Sequence, residues 1–151
     1  MATLRGTIKA ISISKRRGTK KTNVDSAELK TDLGIVGDAH AGNWRRQVSL
    51  LASEAIEKAG KIGMTLRPGD FAENITTDGI DLDALKIGSR LKLGKTAEIE
   101  ITQFGKDCHG RCEIFKQLGE CIMPRRGVFA RVIKGGNINI GDTIEVVVGD
   151  D

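Results

Sequence analysis

Lys86-Ile87-Gly88-Ser89-Arg90-Leu91-Lys92-Leu93 and Asn139-Ile140-Gly141-Asp142-Thr143-Ile144-Glu145-Val146 share one pattern: Ile-Gly, a small polar residue, then alternating apolar residues. Each predicts a tight turn that launches a strand. The two are not a true repeat; a barrel with similar corners gives such echoes. Just after the first, Ala97 to Thr102 alternates Ile99 and Ile101 with Glu98 and Glu100, the pattern of a half-buried strand. Further strands are expected at Leu4 to Ser14, Val24 to Leu29, Val48 to Leu51, Gly127 to Ile133 and Thr143 to Val148. In the first, Ile8 and Ala10 alternate with Thr7 and Lys9, then the pattern slips at Ile11 and Ile13, so a bulge or a two-sided strand is expected. One short amphipathic helix is expected from Ser53 to Lys61, with Ser53 as N-cap and Ala55, Ile56, Ala59 and Ile62 at helical spacing. Glu113 to Leu118 reads as a helical turn or two. The fold class is mixed but mainly β: a closed or nearly closed β-barrel with one or two short helices.

The 151 residues suit a single domain, 1–151, large enough to fold without a disulfide or metal staple. With 19 glycines, 2 prolines and no tyrosine, the chain is turn-rich and its core must rest on Ile, Leu and Val. The net charge of +4 is less lopsided than that of a dedicated nucleic-acid binder. The basic run Lys15 to Thr22 reads as a solvated hairpin loop, with an anion-contacting loop as the sharper reading; no interleaved aromatic residue offers a stacking platform for bases. Nucleic acid is therefore not the expected partner. No apolar run suits a signal peptide or a membrane span, so a cytoplasmic protein with reduced cysteines is expected.

Chemistry concentrates between Lys106 and Val132. All 3 cysteines lie there (Cys108, Cys112 and Cys121), with His109, one of 2 histidines, and with Arg111, Arg125, Arg126 and Arg131. Fixed cations favour a thiolate over a thiol, so Cys108 is the expected reactive sulfur, and a thiolate also ligates thiophilic metals. Zinc is the competing reading, through Cys108, His109, Cys112 and Cys121; adjacent ligands sit awkwardly in a tetrahedral site, and the usual paired knuckles are missing. Cys121, between Glu120 and Ile122, reads as core, and Cys112 as packing, resolving thiol or ligand. The arginines are either a solvated face or a grip for a phosphorylated small ligand. Two further segments carry polar candidates. Leu33 to Gly42 sets His40 among three glycines and just before Trp44, Arg45 and Arg46, as suits a ligand-facing loop or a merely exposed one. Glu73 and Asn74 either fix a loop or hydrogen-bond a polar heterocycle. There is no Walker-type loop, no His-Glu-x-x-His and no convincing Ser-His-Asp set.

Taken together, Gly34-Ile35-Val36-Gly37-Asp38-Ala39-His40-Ala41-Gly42, Arg46-Gln47-Val48-Ser49-Leu50-Leu51, Pro68-Gly69-Asp70-Phe71-Ala72-Glu73-Asn74-Ile75-Thr76-Thr77 and the cysteine stretch through Cys121-Ile122-Met123-Pro124-Arg125-Arg126-Gly127-Val128-Phe129-Ala130 resemble the MOSC domain, the module also found at the C-terminus of molybdenum-cofactor sulfurases. The resemblance covers nearly the whole chain and is greatest to short, stand-alone bacterial members associated with molybdenum-cofactor biosynthesis. It implies a strand-rich barrel with a cysteine at the end of a strand, which in the family is proposed to carry sulfur or to ligate the molybdenum of bound molybdopterin. Cys108 occupies that position, and Glu73-Asn74 matches the family's Glu-Asn. The expected roles are then Cys108 and His109 in catalysis, Cys108 on the metal, and His40, Glu73, Asn74, Arg111, Arg125, Arg126 and Arg131 on the cofactor. The sulfurases' pyridoxal-phosphate domain is not in this sequence, so pyridoxal phosphate is expected only on a partner, a cysteine desulfurase-type sulfur donor. Molybdenum-cofactor biosynthesis proteins or molybdoenzymes are the other expected partners. The implied function is sulfur carriage or sulfurtransferase-type transfer in cofactor maturation or delivery. A non-catalytic cofactor-binding module and a structural zinc site are the alternatives.

Overall fold

A computed structural model of the chain describes residues 4–17, 19–58, 66–105 and 126–147. The strands are β1 (Arg5–Ile13), β2 (Thr22–Val24), β3 (Ser26–Lys30), β4 (Gly34–Ile35), β5 (Val48–Ala52), β6 (Ile75–Asp78), β7 (Arg90–Leu93), β8 (Ala97–Phe104), β9 (Val128–Lys134), β10 (Gly136–Asn139) and β11 (Thr143–Val146). Helix α1 (Ser53–Lys58) and a 3-10 turn (Leu82–Ala84) complete the described elements. The main sheet runs β11-β7-β8-β9-β5-β6-β1-β2, and a β11–β1 pairing closes it into a barrel, with β2 extending one strand at its rim. The expected closed barrel is therefore observed. A smaller sheet, β10-β3-β4, lies beside it.

The echoed corners are neighbours across one seam: β7 and β11 pair antiparallel, Leu91 opposite Val146 and Leu93 opposite Ile144. Alternation places Leu91, Leu93, Ile99, Ile101, Val132 and Ile144 inside, all at or near zero exposure. Burying each such side chain contributes about 1.5–3 kcal/mol. In β1 the bulge falls at Lys9, between the Ile8–Thr77 and Ala10–Thr76 pairs, a little before the slip in apolar pattern. Beyond it, Ala10, Ile11 and Ser12 are all buried, so the strand is covered on both faces.

Three features depart from the sequence reading. The segment expected as one strand, Val24 to Leu29, breaks at Asp25: β2 pairs back on β1, while β3 leaves for the smaller sheet. β5 and β6 pair in parallel, which needs a crossover, and α1 lies within it. Ser53 opens α1, but its hydroxyl lies 3.2 Å from a carboxylate oxygen of Glu54 and of Asp78, tying the helix start to the end of β6. A second apolar cluster, Leu51, Ala55, Ile56, Phe71, Ala72 and Phe129, covers the outside of β5 and β9. Among the described residues, no helix is long and apolar enough to cross a membrane.

Candidate functional site

β8 and β9 are adjacent antiparallel strands, and the cysteine stretch is the excursion between them. Its two roots are held together: Phe104 pairs with Val128, and the Gly105 amide donates to the Gly127 carbonyl at 2.7 Å. Cys108, His109, Arg111, Cys112, Cys121 and Arg125 lie outside the described residues, as does the helical turn expected at Glu113 to Leu118. Among the described residues, no group of three or more His, Cys, Asp or Glu side chains is arranged to hold a metal ion.

Beside these roots lies a cationic, aromatic surface built from two loops. The loop after β1 and the loop after β4 are stitched together by Ala39 N–H donating to Ser14 O (2.8 Å), by the Ser14 amide donating to Asp38 Oδ1 (3.0 Å), and by Arg17 Nε donating to Ala39 O (3.3 Å). Gly34 makes this route available. Its φ is +121°, and a Cβ there would stand 2.7 Å from the Gln47 carbonyl oxygen. Trp44 anchors the surface through Nε1–H donating to His40 O at 2.7 Å. The guanidinium carbons of Arg17 and Arg46 lie 4.3 and 4.6 Å from its ring centroid, within cation–π range. Arg46 also approaches the Phe129 ring at 5.8 Å. A bulge at Thr102 lets β8 meet this loop: its hydroxyl donates to the Arg45 carbonyl. The next residue, Gln103, donates from Nε2 to the Gly105 carbonyl at 2.8 Å, at the root of the cysteine stretch. Trp44, Arg45, Arg46 and Gln103 line a hollow of about 340 Å³.

Beneath Trp44 is a buried ionic group. Lys21 and Asp38 side chains are both 0% exposed, with Nζ 2.8 Å from Oδ1. Lys21 thus belongs to the core, although the basic run that contains it was expected to be solvated; Lys15, Arg16, Arg17 and Lys20 are exposed as expected. The loop needs its buried end neutralised, and Asp38 does this. Burial alone pushes the Asp38 carboxyl up, but contacts with His40 and Lys21, the Lys21 charge and the Ser14 amide outweigh it and hold it well below the usual carboxylate range. His40 is buried here, its ring parallel to that of Trp44 at 6.2 Å between centroids.

The other described residues expected on the cofactor, Glu73, Asn74, Arg126 and Arg131, lie elsewhere. Asn74 is completely buried and serves as a strut. Its Oδ1 accepts from the Ser49 amide (2.9 Å) and lies 3.2 Å from the Ser49 hydroxyl, while Nδ2 donates to Ser12 O (3.1 Å). This is the loop-fixing arrangement, joining β1, β5 and the start of β6. Glu73 Oε2 accepts from the Gly69 amide and the Thr76 hydroxyl, both at 2.9 Å, whereas Oε1 is buried with no partner. Burial pushes its pKa upward, the hydrogen bonds from Gly69 and Thr76 only partly opposing. Arg131 is engaged by Glu100 at 2.9 Å and Asp32 at 3.9 Å. Arg126 meets Asp83 at 3.3 Å and lines a separate hollow of about 220 Å³ with Glu54 and Asp81. Of the described residues expected to hold the cofactor, the structure brings only His40 against the Trp44 surface. Arg17, Trp44, Arg46 and Gln103 were not among the expected contacts. The visible signal was the lone tryptophan followed by two arginines, close after His40.

Residues 37–145 match the sequence profile of the MOSC domain. The chain belongs to the MOSC family. Solved structures share the MOSC chain's fold. The YUAD protein from Bacillus subtilis superposes with a TM-score of 0.79 at 22% identity, covering 94% of this chain and 95% of that one. YiiM from Geobacillus stearothermophilus gives 0.70 at 21% identity, over 95% of this chain and 75% of that one. YiiM from Escherichia coli gives 0.63 at 19% identity, over 95% and 70%. No curated protein sequence matches this MOSC chain.

Proposed function

We propose that this MOSC domain binds a molybdopterin-type cofactor in the hollow beside Trp44 and acts in its maturation or delivery through Cys108. The observation that carries the reading is the position of that hollow. Two guanidiniums flank its tryptophan, and Gln103 in its wall is hydrogen-bonded to Gly105, where the cysteine stretch begins. The donor set suits such a ligand. Arginine forks bind a phosphate monoester, the indole offers an apolar face to a heterocycle, and the Gln103 carboxamide has donor and acceptor capacity for its edge. Arg17, Arg45 and Arg46 would hold the anionic end. Cys108 follows Gly105 by three residues, a tether of at most about 11 Å. Guanidiniums within that reach would favour its thiolate, the form that ligates a thiophilic metal or carries a transferable sulfur. The bound cofactor would supply molybdenum chemistry; this chain supplies the anion grip, the aromatic wall and the Cys108 thiolate that takes up the transferable sulfur. The sulfur itself would come from a partner, a pyridoxal-phosphate cysteine desulfurase.

The test is metal analysis, pterin quantification and intact mass of protein purified from molybdopterin-producing cells. Wild type should carry pterin with molybdenum, or an added sulfur. Cys108→Ser should lose the molybdenum or the extra sulfur, and Arg46→Gln with Arg45→Gln should lose the pterin. Pterin retained by the double arginine variant would refute the site. Stoichiometric zinc in wild type and Cys108→Ser alike would refute the function.

A further inference from the structure

The loop after β1 carries four exposed cations, Lys15, Arg16, Arg17 and Lys20, and it is fastened along its length. Its two stems end on one carboxylate oxygen. The Ser14 amide donates to Asp38 Oδ1 at 3.0 Å, and Lys21 Nζ lies 2.8 Å from the same atom. The Lys21 amide donates to Gly69 O at 2.9 Å. Between the stems, the Ser14 and Thr19 hydroxyls donate to Arg16 O at 2.9 and 3.0 Å, and Arg17 Nε donates to Ala39 O. A run of charge that is merely solvated needs no such frame. The loop is also short of counter-charge. Among the described residues, no carboxylate lies within ion-pair distance of Lys15, Arg16, Arg17 or Lys20, nor of Arg45 and Arg46 on the stitched loop beside them. Asp38 is buried and engaged by Lys21, and half-buried Asp70, near the second stem, accepts the Arg67 amide at 2.9 Å. The cations gathered on these two joined loops outnumber the net charge of the whole chain, +4.

We propose that Lys15, Arg16 and Lys20 form a docking surface for an acidic face of a partner protein, seated beside the Trp44 hollow. Fixed cations suit fixed carboxylates. Complementary charge steers the encounter and sets its orientation, and a loop ordered in advance loses little entropy on contact. Other polyanions fit less well. Ser14 to Lys20 holds no aromatic side chain to stack on a base and no apolar side chain to enter a bilayer. Arg17, in the same loop, reaches the Trp44 ring at 4.3 Å, so the docking surface borders the hollow. A partner seated there would stand where cargo leaves or enters. That use rests on the proposed cofactor site; the docking surface does not, because its test contains no cofactor.

Nitrogen-15 NMR titration of the full chain reads both the strength and the place of weak binding. The probe is an alanine-based helical peptide with glutamates along one face, added at physiological salt. It should move the amide signals of Lys15, Arg16, Arg17 and Lys20 most. Lys15→Glu/Arg16→Glu/Lys20→Glu removes three surface pairs and adds repulsion, so affinity should fall by about tenfold or more. Lys86→Glu/Lys95→Glu/Lys134→Glu changes the net charge equally at exposed positions outside the loop, where screening limits the loss to about threefold or less. No binding by wild type, signals moved chiefly outside the loop, or equal losses in the two triple variants would overturn the proposal. A single-stranded oligonucleotide or phosphatidylserine vesicles that bind the loop more tightly than the peptide would also overturn it, assigning the loop to another polyanion. The wild-type titration alone decides the matter if the loop variant does not fold. Arg45→Gln with Arg46→Gln tests the hollow while leaving Lys15, Arg16 and Lys20 in place, so the two readings fail separately.

Discussion

Replacing Lys21 with methionine keeps most of the side-chain volume and removes the charge. Asp38 then keeps the amides of Ser14 and His40 but loses its counter-ion in a place where both side chains have zero exposure. Leaving one partner of a buried pair alone costs about 3–5 kcal/mol. For a chain of this size that is a fall in Tm of roughly 6–20 °C, at about 2–4 °C per kcal/mol. Asp38→Asn should be costly for the complementary reason, because the buried Lys21 ammonium loses the Asp38 carboxylate charge. The double variant Lys21→Met/Asp38→Asn should be less destabilised than the sum of the singles, because neither charge remains to be stranded. Urea titration with circular dichroism measures all four proteins. The pH dependence has a definite sign. Asp38 titrates below its unfolded value, so its contribution is present above about pH 3.9 and lost as pH falls toward the lower folded value. The acid limb of the stability curve should flatten in Asp38→Asn. Single variants each within about 1 kcal/mol of wild type, or strictly additive, would refute the account of a desolvated, mutually dependent pair.

Asn74→Ala removes a strut joining three strands and strands the Ser49 amide and the Ser12 carbonyl; at about 1–3 kcal/mol for each buried unsatisfied group, urea unfolding should show a loss above about 2 kcal/mol. Glu73 has a raised pKa, so its contribution is full below the unfolded glutamate value and declines as pH rises through the folded one. Glu73→Gln, neutral at every pH, should therefore remove that decline, and its thermal stability measured from pH 5 to 9 should gain on wild type toward alkaline pH. Gly34→Ala must adopt φ near +121° with a Cβ against the Gln47 carbonyl, so it should lose more than about 1 kcal/mol in the same unfolding assay.

The barrel was legible because β7, β8 and β11 each alternate with period two and bury one face. Solvent selects the register of such strands directly from side-chain polarity. The parallel β5–β6 pair was not legible, since Val48, Ser49, Leu50 and Leu51 are buried on both faces and show no alternation. The break at Asp25 was hidden too, because β3's partner β10 lies more than a hundred residues away.

The same division runs through the candidate site. Residue identity alone marked where nucleophile and cations are dense, because thiols and guanidiniums carry their chemistry with them. It also named His40, Glu73 and Asn74 as polar groups in glycine-rich or apolar settings. Which of these faces a ligand hollow depends on what neighbours them in space. Asn74 is consumed by Ser49 and Ser12, Arg131 by Glu100, and Lys21 by Asp38; His40 comes against Trp44. Hydrogen bonds and ion pairs form between residues distant in sequence, so only tertiary packing decides which polar groups are satisfied inside and which remain to bind.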